Sequence, residues 1–408
     1  MHYGWVILGL CFVDLFLNFG IRTGYGAILP EMIRAMGISR REGADISNAN
    51  TFTYLCIAPL TGYLADRFGA RVIISSFCVL IGIGTFLMGT AANFAQAALF
   101  FGIAGIGAGA MWAPVLALLQ QWFVPSKRGM TLGIVSIGTG LGIGAMGHFH
   151  PAVASRWGWS YSWYILGIGA LAMAVINGLF LRSRPEEKGL RRWGEKDPGP
   201  RTDAATEAVP GIKERYHDIF SAPRFWIIGV SYALVAGALY LTITFMVDYA
   251  RSTFNLPYET ASLLITTHGI SQVPGVLIIP WLSDFVGRRQ TIFLSNLVVA
   301  ASIVALLLSG ATLFFLFASV SLMGAAFGAT FPLYGACAGD YFRRDLVGSV
   351  IGMWTPFYGV GVIVIQGLGG YLRDVTGSFV IPFAGATLCC ILSAGLILSI
   401  KRTPRLTS

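Results

Sequence analysis

The sequence predicts an all-α membrane protein with twelve transmembrane helices in two pseudo-symmetric six-helix bundles. The first observation is composition: hydrophobic residues make up 55% of the 408 residues, and charged residues make up only 12%. A soluble chain of this length could not cover its surface with so few charges. The other two observations are a series of long apolar segments and an internal repeat.

Apolar segments of about 20 residues recur along the chain, and each could cross a bilayer about 30 Å thick as a helix. We expect twelve spans, at residues 4–29, 46–65, 70–92, 94–122, 129–151, 160–181, 225–249, 258–282, 290–309, 311–337, 347–371 and 379–400. Residues 1–181 then form an N-terminal six-helix half and residues 225–408 a C-terminal six-helix half. Residues 182–224, rich in Pro, Glu, Lys and Arg, form a cytoplasmic linker.

Two sequence matches relate these halves at nearly one offset. The end of the second span matches the end of the eighth at an offset of 218, through Asp66, Gly69 and Arg71 against Asp284, Gly287 and Arg289. After the fourth span, Trp122-Phe123 matches Tyr341-Phe342 after the tenth at an offset of 219. Two independent matches indicate a duplicated six-helix unit.

The net charge of +9 follows the positive-inside rule. With the N-terminus inside, the inner loops and the tail hold 21 of the 28 Lys and Arg residues, and the opposite loops hold six. We therefore expect both termini in the cytoplasm and the protein in a bacterial inner membrane. Because topology explains the basic balance, we expect the lipid bilayer as a partner and no nucleic acid.

Arg22 is the one basic residue that this rule does not place, because it lies inside the first span. A charged side chain at the bilayer centre costs at least about 2.5–3.5 kcal/mol, so Arg22 should face a cavity or a partner. Asp14, Asn18 and Arg22 are spaced i, i+4, i+8 in one polar stripe, and Tyr25 falls on the same face. Substrate contact or gating would explain Arg22. The alternative is permanent neutralisation by Asp14, two turns away, or by a neighbouring helix end.

The loop Gly62-x-x-x-Asp66-Arg67-x-Gly69-x-Arg71 and its second copy resemble the major facilitator superfamily, over nearly the whole chain. The resemblance implies the major facilitator fold and alternating access of the two halves. It assigns conformational gating to these residues: Gly62, Asp66, Arg67, Gly69, Arg71, Asp284, Gly287, Arg288 and Arg289. The alternative is that the charges only mark a short inner loop.

Other stretches resemble the branch of monocarboxylate porters and oxalate–formate antiporters. They include Arg184-Pro-Glu186-Glu187 in the linker and Gly370-Tyr371-Leu-Arg373-Asp374 after the eleventh span. Members of that branch usually carry an arginine where this chain has Val276, and the porters carry an aspartate where it has Gln272. Either the anion is held by Arg22 together with neutral donors, or the substrate is not a simple monocarboxylate.

The superfamily resemblance places spans 1, 4, 7 and 10 around a central cavity, with spans 2, 5, 8 and 11 beside them. The expected substrate-binding residues are Arg22, Asn18, Tyr25, Asn50, Tyr54, Trp112, His268, Gln272, Tyr240, Tyr334 and Tyr358. Tyr and Trp in spans also serve packing, and His268 could equally form a neutral helix–helix hydrogen bond. Asp14 and His268 are the proton-coupling candidates, because the other carboxylates lie near loops.

These features favour a secondary active transporter that moves a small organic anion, a monocarboxylate, by alternating access, with proton symport ahead of exchange. One alternative is a drug or neutral-solute exporter of the same superfamily, and another is a non-transporting membrane sensor. The sequence shows no nucleophile–base pair, metal-binding cluster or phosphate-binding loop. We therefore expect no enzyme activity, no cofactor and no metal, and we expect a monomer.

Overall fold

The computed structural model describes residues 2–195, 219–310, 312–343 and 346–400. The helices of the N-terminal half are α1 (Gly4–Thr23), α2 (Tyr25–Met36), α3 (Arg40–Phe68), α4 (Ala70–Met88), α5 (Phe94–Ala108), α6 (Ala113–Trp122), α7 (Arg128–Trp157) and α8 (Trp159–Phe180). Those of the C-terminal half are α9 (Pro223–Phe254), α10 (Tyr258–Val286), α11 (Arg288–Leu308), α12 (Leu313–Tyr341), α13 (Val347–Thr376) and α14 (Val380–Ser399).

Two predicted spans are interrupted. The first span continues to Met36, and α1 gives way to α2 at Gly24. A Cβ atom at Gly24 would lie only 2.2 Å from the carbonyl oxygen of Gly20, so only glycine fits there. The fourth span breaks after Ala108, and Pro114 lies in the first turn of the new helix α6. Continuous helices were expected at both places, because hydropathy does not register a short break inside an apolar segment.

The second span, α3, is the least apolar. Eleven helical segments of the described chain are long and apolar enough to cross a membrane, and α3 is not among them. Its polar side chains Asn48, Asn50 and Thr51 are buried against neighbouring helices instead of facing lipid. Ser39 and Glu42 form a capping box that fixes where this helix begins. With α3 included, the described chain supplies the twelve spans that the sequence predicts.

The two halves repeat the same packing. In the N-terminal half α1 packs on α7, α3 on α5, and α4 on α8. In the C-terminal half the equivalent pairs are α9 on α13, α10 on α12, and α11 on α14. The 218-residue repeat in the sequence therefore corresponds to a repeated six-helix bundle. The exact boundaries of the two halves and the linker stay a prediction.

The described start of the linker packs on the N-terminal half. The Trp193 backbone N–H donates to the Trp122 carbonyl at 2.8 Å, and the Trp122 indole N–H donates to the Arg182 carbonyl at 2.8 Å. Residues 196–218 of the linker lie outside the described residues.

The two motif loops lie at one end of the bundle, which we call the basic-loop end. Gly69 (φ +87°) and Gly287 (φ +103°) each join two helices there, and positive φ favours glycine at both positions. The opposite end, which holds Arg40 and Arg251, we call the distal end. This distinction matters because the halves touch unequally at the two ends.

Contact between the halves runs along α7 with α10 and along α3 with α13. Gly269 of α10 crosses α7 so closely that an added Cβ atom would lie 2.2 Å from the Gly144 nitrogen and 2.4 Å from the Gly140 oxygen. The Thr266 hydroxyl donates to the Gly144 carbonyl at 2.9 Å nearby. The glycine run of the fifth span therefore permits backbone-to-backbone packing of the halves.

Candidate functional site

Arg22 lies where α1 ends, in the middle of the first span, and only 7% of it is exposed. Its guanidinium carbon lies 4.3 Å from the centre of the Tyr54 ring on α3, in a cation–π contact. Tyr54 is half-buried. Asn18, one turn earlier on α1, is 5% exposed. The stripe that the sequence predicts thus brings Arg22 against a residue of the second span.

Two nitrogens of the Arg22 guanidinium, Nε and Nη2, are buried without a hydrogen-bond partner. These two N–H groups point along the same edge of the planar group, which is the edge that binds the two oxygens of a carboxylate. A buried donor without a partner is costly, by about 1–3 kcal/mol and more for a charged group. The arrangement is therefore suited to an anion that supplies two coplanar oxygens.

The C-terminal half faces Arg22 with tyrosines. Tyr240 on α9 and Tyr358 on α13 both lie near the guanidinium. The two rings contact each other edge to face, with 5.7 Å between their centres. Tyr240 stands 218 residues after Arg22, so the internal repeat makes these residues counterparts in the two halves. Both are among the substrate-binding residues that the sequence predicts, and the structure brings them to Arg22.

Further aromatic rings surround this cluster. Phe327 on α12 lies 5.6 Å from Tyr240, and Tyr232 on α9 lies 5.6 Å from Tyr358, measured between ring centres. Trp112, another candidate, contacts Phe331 of the C-terminal half at 5.2 Å. We call Arg22, Tyr54, Tyr240, Tyr358 and Phe327 the Arg22 cluster.

His268 and Gln272 lie at the edge of this cluster, on α10. The His268 ring is fully buried, 5.1 Å from the Phe327 ring centre, and both of its nitrogens lack a partner. Gln272 is 4% exposed, and its Nε2 also lacks a partner. Neither residue makes the helix–helix hydrogen bond that was the alternative for His268. Their role in substrate binding or proton coupling stays a prediction.

Three other candidates make their contacts inside their own half. The Tyr25 hydroxyl donates to the Gly43 carbonyl at 2.9 Å, and its ring stacks on Phe101. The Asn50 side-chain amide donates to the Phe101 carbonyl at 3.0 Å. The Tyr334 hydroxyl is held by Ser231, Asn296 and Ser393 in a buried network. The structure therefore groups these residues with the packing of the halves.

Asp14 lies away from Arg22. Its Oδ1 accepts a 2.7 Å hydrogen bond from the Asn177 side chain on α8, and its Oδ2 is buried without a partner. The carboxylate is thus engaged inside the N-terminal half and does not pair with Arg22. The role of Asp14 in proton coupling stays a prediction.

The motif arginines at the basic-loop end cap helices of their own half. The Arg71 side chain donates to the Gly178 carbonyl near the end of α8, with 3.0 Å from Nε. The Arg289 side chain donates to the Ile397 carbonyl near the end of α14, with 3.2 Å from Nε. Carbonyls near a helix C-terminus lack helical partners, so Arg71 supplies a donor to Gly178 that the helix itself does not. Arg289 adds a second donor to the Ile397 carbonyl, which also accepts from the Ile400 backbone N–H.

The other gating candidates are less engaged. Arg288 pairs with Asp284 on the preceding turn and lies 4.0 Å from the Asp340 carboxylate, all within the C-terminal half. Asp66 and Arg67 are exposed, and the Arg67 guanidinium lies over the neighbouring Phe68 ring. Gly62 has open space where a side chain would be. Their role in gating stays a prediction.

A set of ionic contacts at the distal end joins the halves, and sequence reasoning missed it. Arg40 Nε donates to Asp248 at 3.0 Å, and Arg251 donates to Glu31 at 2.6 Å. The Asp374 carboxylate accepts hydrogen bonds from the backbone N–H groups of Arg40 (3.1 Å) and Arg41 (2.8 Å). We call these residues the distal latch: Glu31, Arg40, Arg41, Asp248, Arg251 and Asp374. The only sequence signal for it was charge at the span ends.

Asp374 supplies a helix cap from the opposite half, because it sits at the end of α13 and binds the first turn of α3. Replacing Asp374 by Ala should speed hydrogen exchange at the Arg40 and Arg41 amides by roughly 2- to 30-fold, the usual strength of an N-cap. Asp374→Asn is the matched control, since asparagine caps equally well. Unchanged exchange in Asp374→Ala would contradict a stabilising role for this contact.

Comparisons with known proteins agree with this architecture. A sequence model described as Major Facilitator Superfamily matches residues 11–257 and 228–408. The probable sulfoacetate transporter SauU of Cupriavidus necator is 22% identical, over 98% of this chain and 94% of its own. Monocarboxylate transporter 12-B of Danio rerio is 22% identical, over 98% and 87%. A crystal structure of a bacterial homolog of the human lysosomal transporter Spinster, 16% identical, has a TM-score of 0.75 and covers 97% and 95%.

Proposed function

This chain belongs to the Major Facilitator Superfamily and is a transporter, not an enzyme, and from that premise we propose that it carries a small organic anion, a monocarboxylate, by alternating access. The observation that carries the proposal is the free edge of Arg22, with Nε and Nη2 buried and unpaired. A carboxylate would satisfy both N–H groups and the charge at once. The monocarboxylate transporter named above supports the same class, and the probable sulfoacetate transporter, whose substrate carries a sulfonate beside its carboxylate, supports an organic anion more generally.

Alternating access is supported by the unequal contact between the halves. The distal latch holds the halves together on the distal side of Arg22. The crossing of Gly269 with Gly144 joins them at about the depth of Arg22, because Gly20 and Gly24 on either side of Arg22 pack on Gly142 and Met146. With both termini placed in the cytoplasm by the positive-inside rule, this would be the inward-facing state. Opening the latch would then expose Arg22 to the opposite face of the membrane.

Proton symport is the coupling that we favour over exchange. Asp14 is the carboxylate that lies deepest in a span, and one of its oxygens is buried without a partner. Carboxylates inside the spans of pumps and transporters commonly serve as proton relays. His268, also unpaired and next to Phe327, is the second candidate. Coupling through either residue requires that its protonation change with the state of the Arg22 cluster.

Purified protein in proteoliposomes tests both the substrate class and the coupling. We expect accumulation of a labelled monocarboxylate such as lactate or benzoate when the outside is acidified, and competition by carboxylates but not by their amides. Ligand at 100 times its Kd should also stabilise the fold by about 2.7 kcal/mol in a thermal-shift assay. Efflux of hydrophobic dyes with no carboxylate uptake would overturn the proposal and favour the exporter alternative. Uptake that needs anion on both sides, without a pH gradient, would overturn symport alone.

A further inference from the structure

We propose that the substrate is a singly charged carboxylate with a flat apolar body, of the kind found in aromatic acids. This inference rests on the anion transport proposed above and adds the charge and shape of the anion. It follows from three observations: the number of positive charges in the Arg22 cluster, the chemistry of its walls, and the apolar lining of a small cavity beyond Tyr358.

The cluster contains a single positive charge. Arg22 lies in the interior of the span Gly4–Met36, whereas every other Lys or Arg of the described helices lies within the first or last four residues of its span. A dianion at this site would keep one negative charge without a countercharge in a desolvated setting, which is strongly unfavourable. The charge count therefore favours a monoanion over a dicarboxylate.

The walls of the cluster are aromatic on both sides. Tyr54 lies against one face of the guanidinium, and Tyr240 and Tyr358 approach it from the C-terminal half. Phe327 continues the wall beyond Tyr240, with 5.6 Å between the ring centres. Aromatic rings contact one another favourably in offset or edge-to-face geometry, so a ring carried on the carboxylate would find several partners here.

The space next to the cluster is also apolar. Tyr232, which contacts Tyr358, forms part of a small cavity together with Phe331, Ile351 and Trp354. Tyr334 lines this cavity with its ring, and its hydroxyl is already bound to Ser231 and Asn296. A polyhydroxylated acid would lose hydrogen bonds to water in such a place and regain few. An apolar substrate body has no hydrogen bonds to water to lose.

Competition against labelled benzoate uptake by the full-length protein in proteoliposomes tests the inference. The competitors are acetate, cyclohexanecarboxylate, benzoate, phthalate, gluconate and benzamide. Burial of the ring predicts that benzoate competes roughly 10- to 100-fold more strongly than acetate. Phthalate, gluconate and benzamide should compete at least tenfold more weakly than benzoate. Acetate or gluconate equal to benzoate would overturn the inference and leave anion transport intact, whereas failure of every carboxylate would overturn the proposed function as well.

Replacing Phe327 by Ala distinguishes the contribution of the aromatic wall to substrate binding from that of the Arg22 charge. We expect it to weaken competition by benzoate about tenfold and to leave acetate within about twofold, because only the body loses a contact. Phe327→Leu, which keeps the apolar volume, should retain most of the benzoate preference. An equal loss for both acids in Phe327→Ala, in protein with unchanged melting temperature, would overturn the assignment of this wall to the substrate body.

Discussion

Uptake of the anion should fall by at least about 30-fold when Arg22 is replaced by Ala, while the protein without ligand keeps its melting temperature. Removing one partner of a buried ion pair costs about 2–5 kcal/mol of binding, which corresponds to this loss. The stability of the unliganded protein should change little, because Nε and Nη2 of Arg22 have no hydrogen-bond partner there to lose. The cation–π contact with Tyr54, which would be lost, is modest. Uptake and ligand-induced thermal shifts measure the two effects separately.

Two further variants sharpen the test of Arg22. Arg22→Lys keeps the charge but loses the two-pronged edge, so we expect intermediate uptake with weaker affinity. Arg156→Ala removes an exposed arginine at the distal end and should leave uptake unchanged. Wild-type uptake by Arg22→Ala would remove Arg22 from the binding site. Loss of folded protein would instead assign Arg22 to stability.

Gly269→Ala should reduce transport about tenfold or more, although alanine is the better helix former. The added methyl group would lie 2.2 Å from the Gly144 nitrogen of the other half, so the helices must separate. Overpacking of this kind costs about 1–3 kcal/mol and acts here on the contact between the halves. The measurement is uptake together with the melting temperature.

Gly169→Ala on α8 is the matched control, because nothing lies within 4 Å of an added Cβ there. It should stabilise its helix by up to about 1 kcal/mol and leave uptake unchanged. Gly275→Ala, which would clash with Ala325 inside the C-terminal half, distinguishes damage to one half from damage to the contact between halves. Equal uptake in Gly269→Ala and Gly169→Ala would show that the close crossing is not needed.

The sequence alone could predict the spans, the repeat and the isolation of Arg22. It could not predict which way each residue of the polar stripe points. Positions i, i+4 and i+8 drift by about 40° per step on a helix, so Asp14 and Arg22 are about 80° apart. That rotation lets Asp14 reach Asn177 on α8 while Arg22 meets Tyr54 on α3.

Contacts between distant segments set the remaining limits. The distal latch joins α2 and α3 to α9 and α13, and no local pattern identifies which charged residues at span ends will meet. The counterpart of Arg22 could have been found from the sequence, because adding the 218-residue offset gives Tyr240 directly. The breaks at Gly24 and after Ala108 follow from backbone packing that hydropathy cannot register.

The arginine caps at the basic-loop end have a mechanical consequence. Arg71 ties the start of α4 to the end of α8, and Arg289 ties the start of α11 to the end of α14, so each of these two ties lies within one bundle. Neither of these hydrogen bonds joins one bundle to the other. A tilt of one bundle against the other can therefore widen or narrow this end without breaking either hydrogen bond. Each bundle then moves as a rigid body during the conformational change.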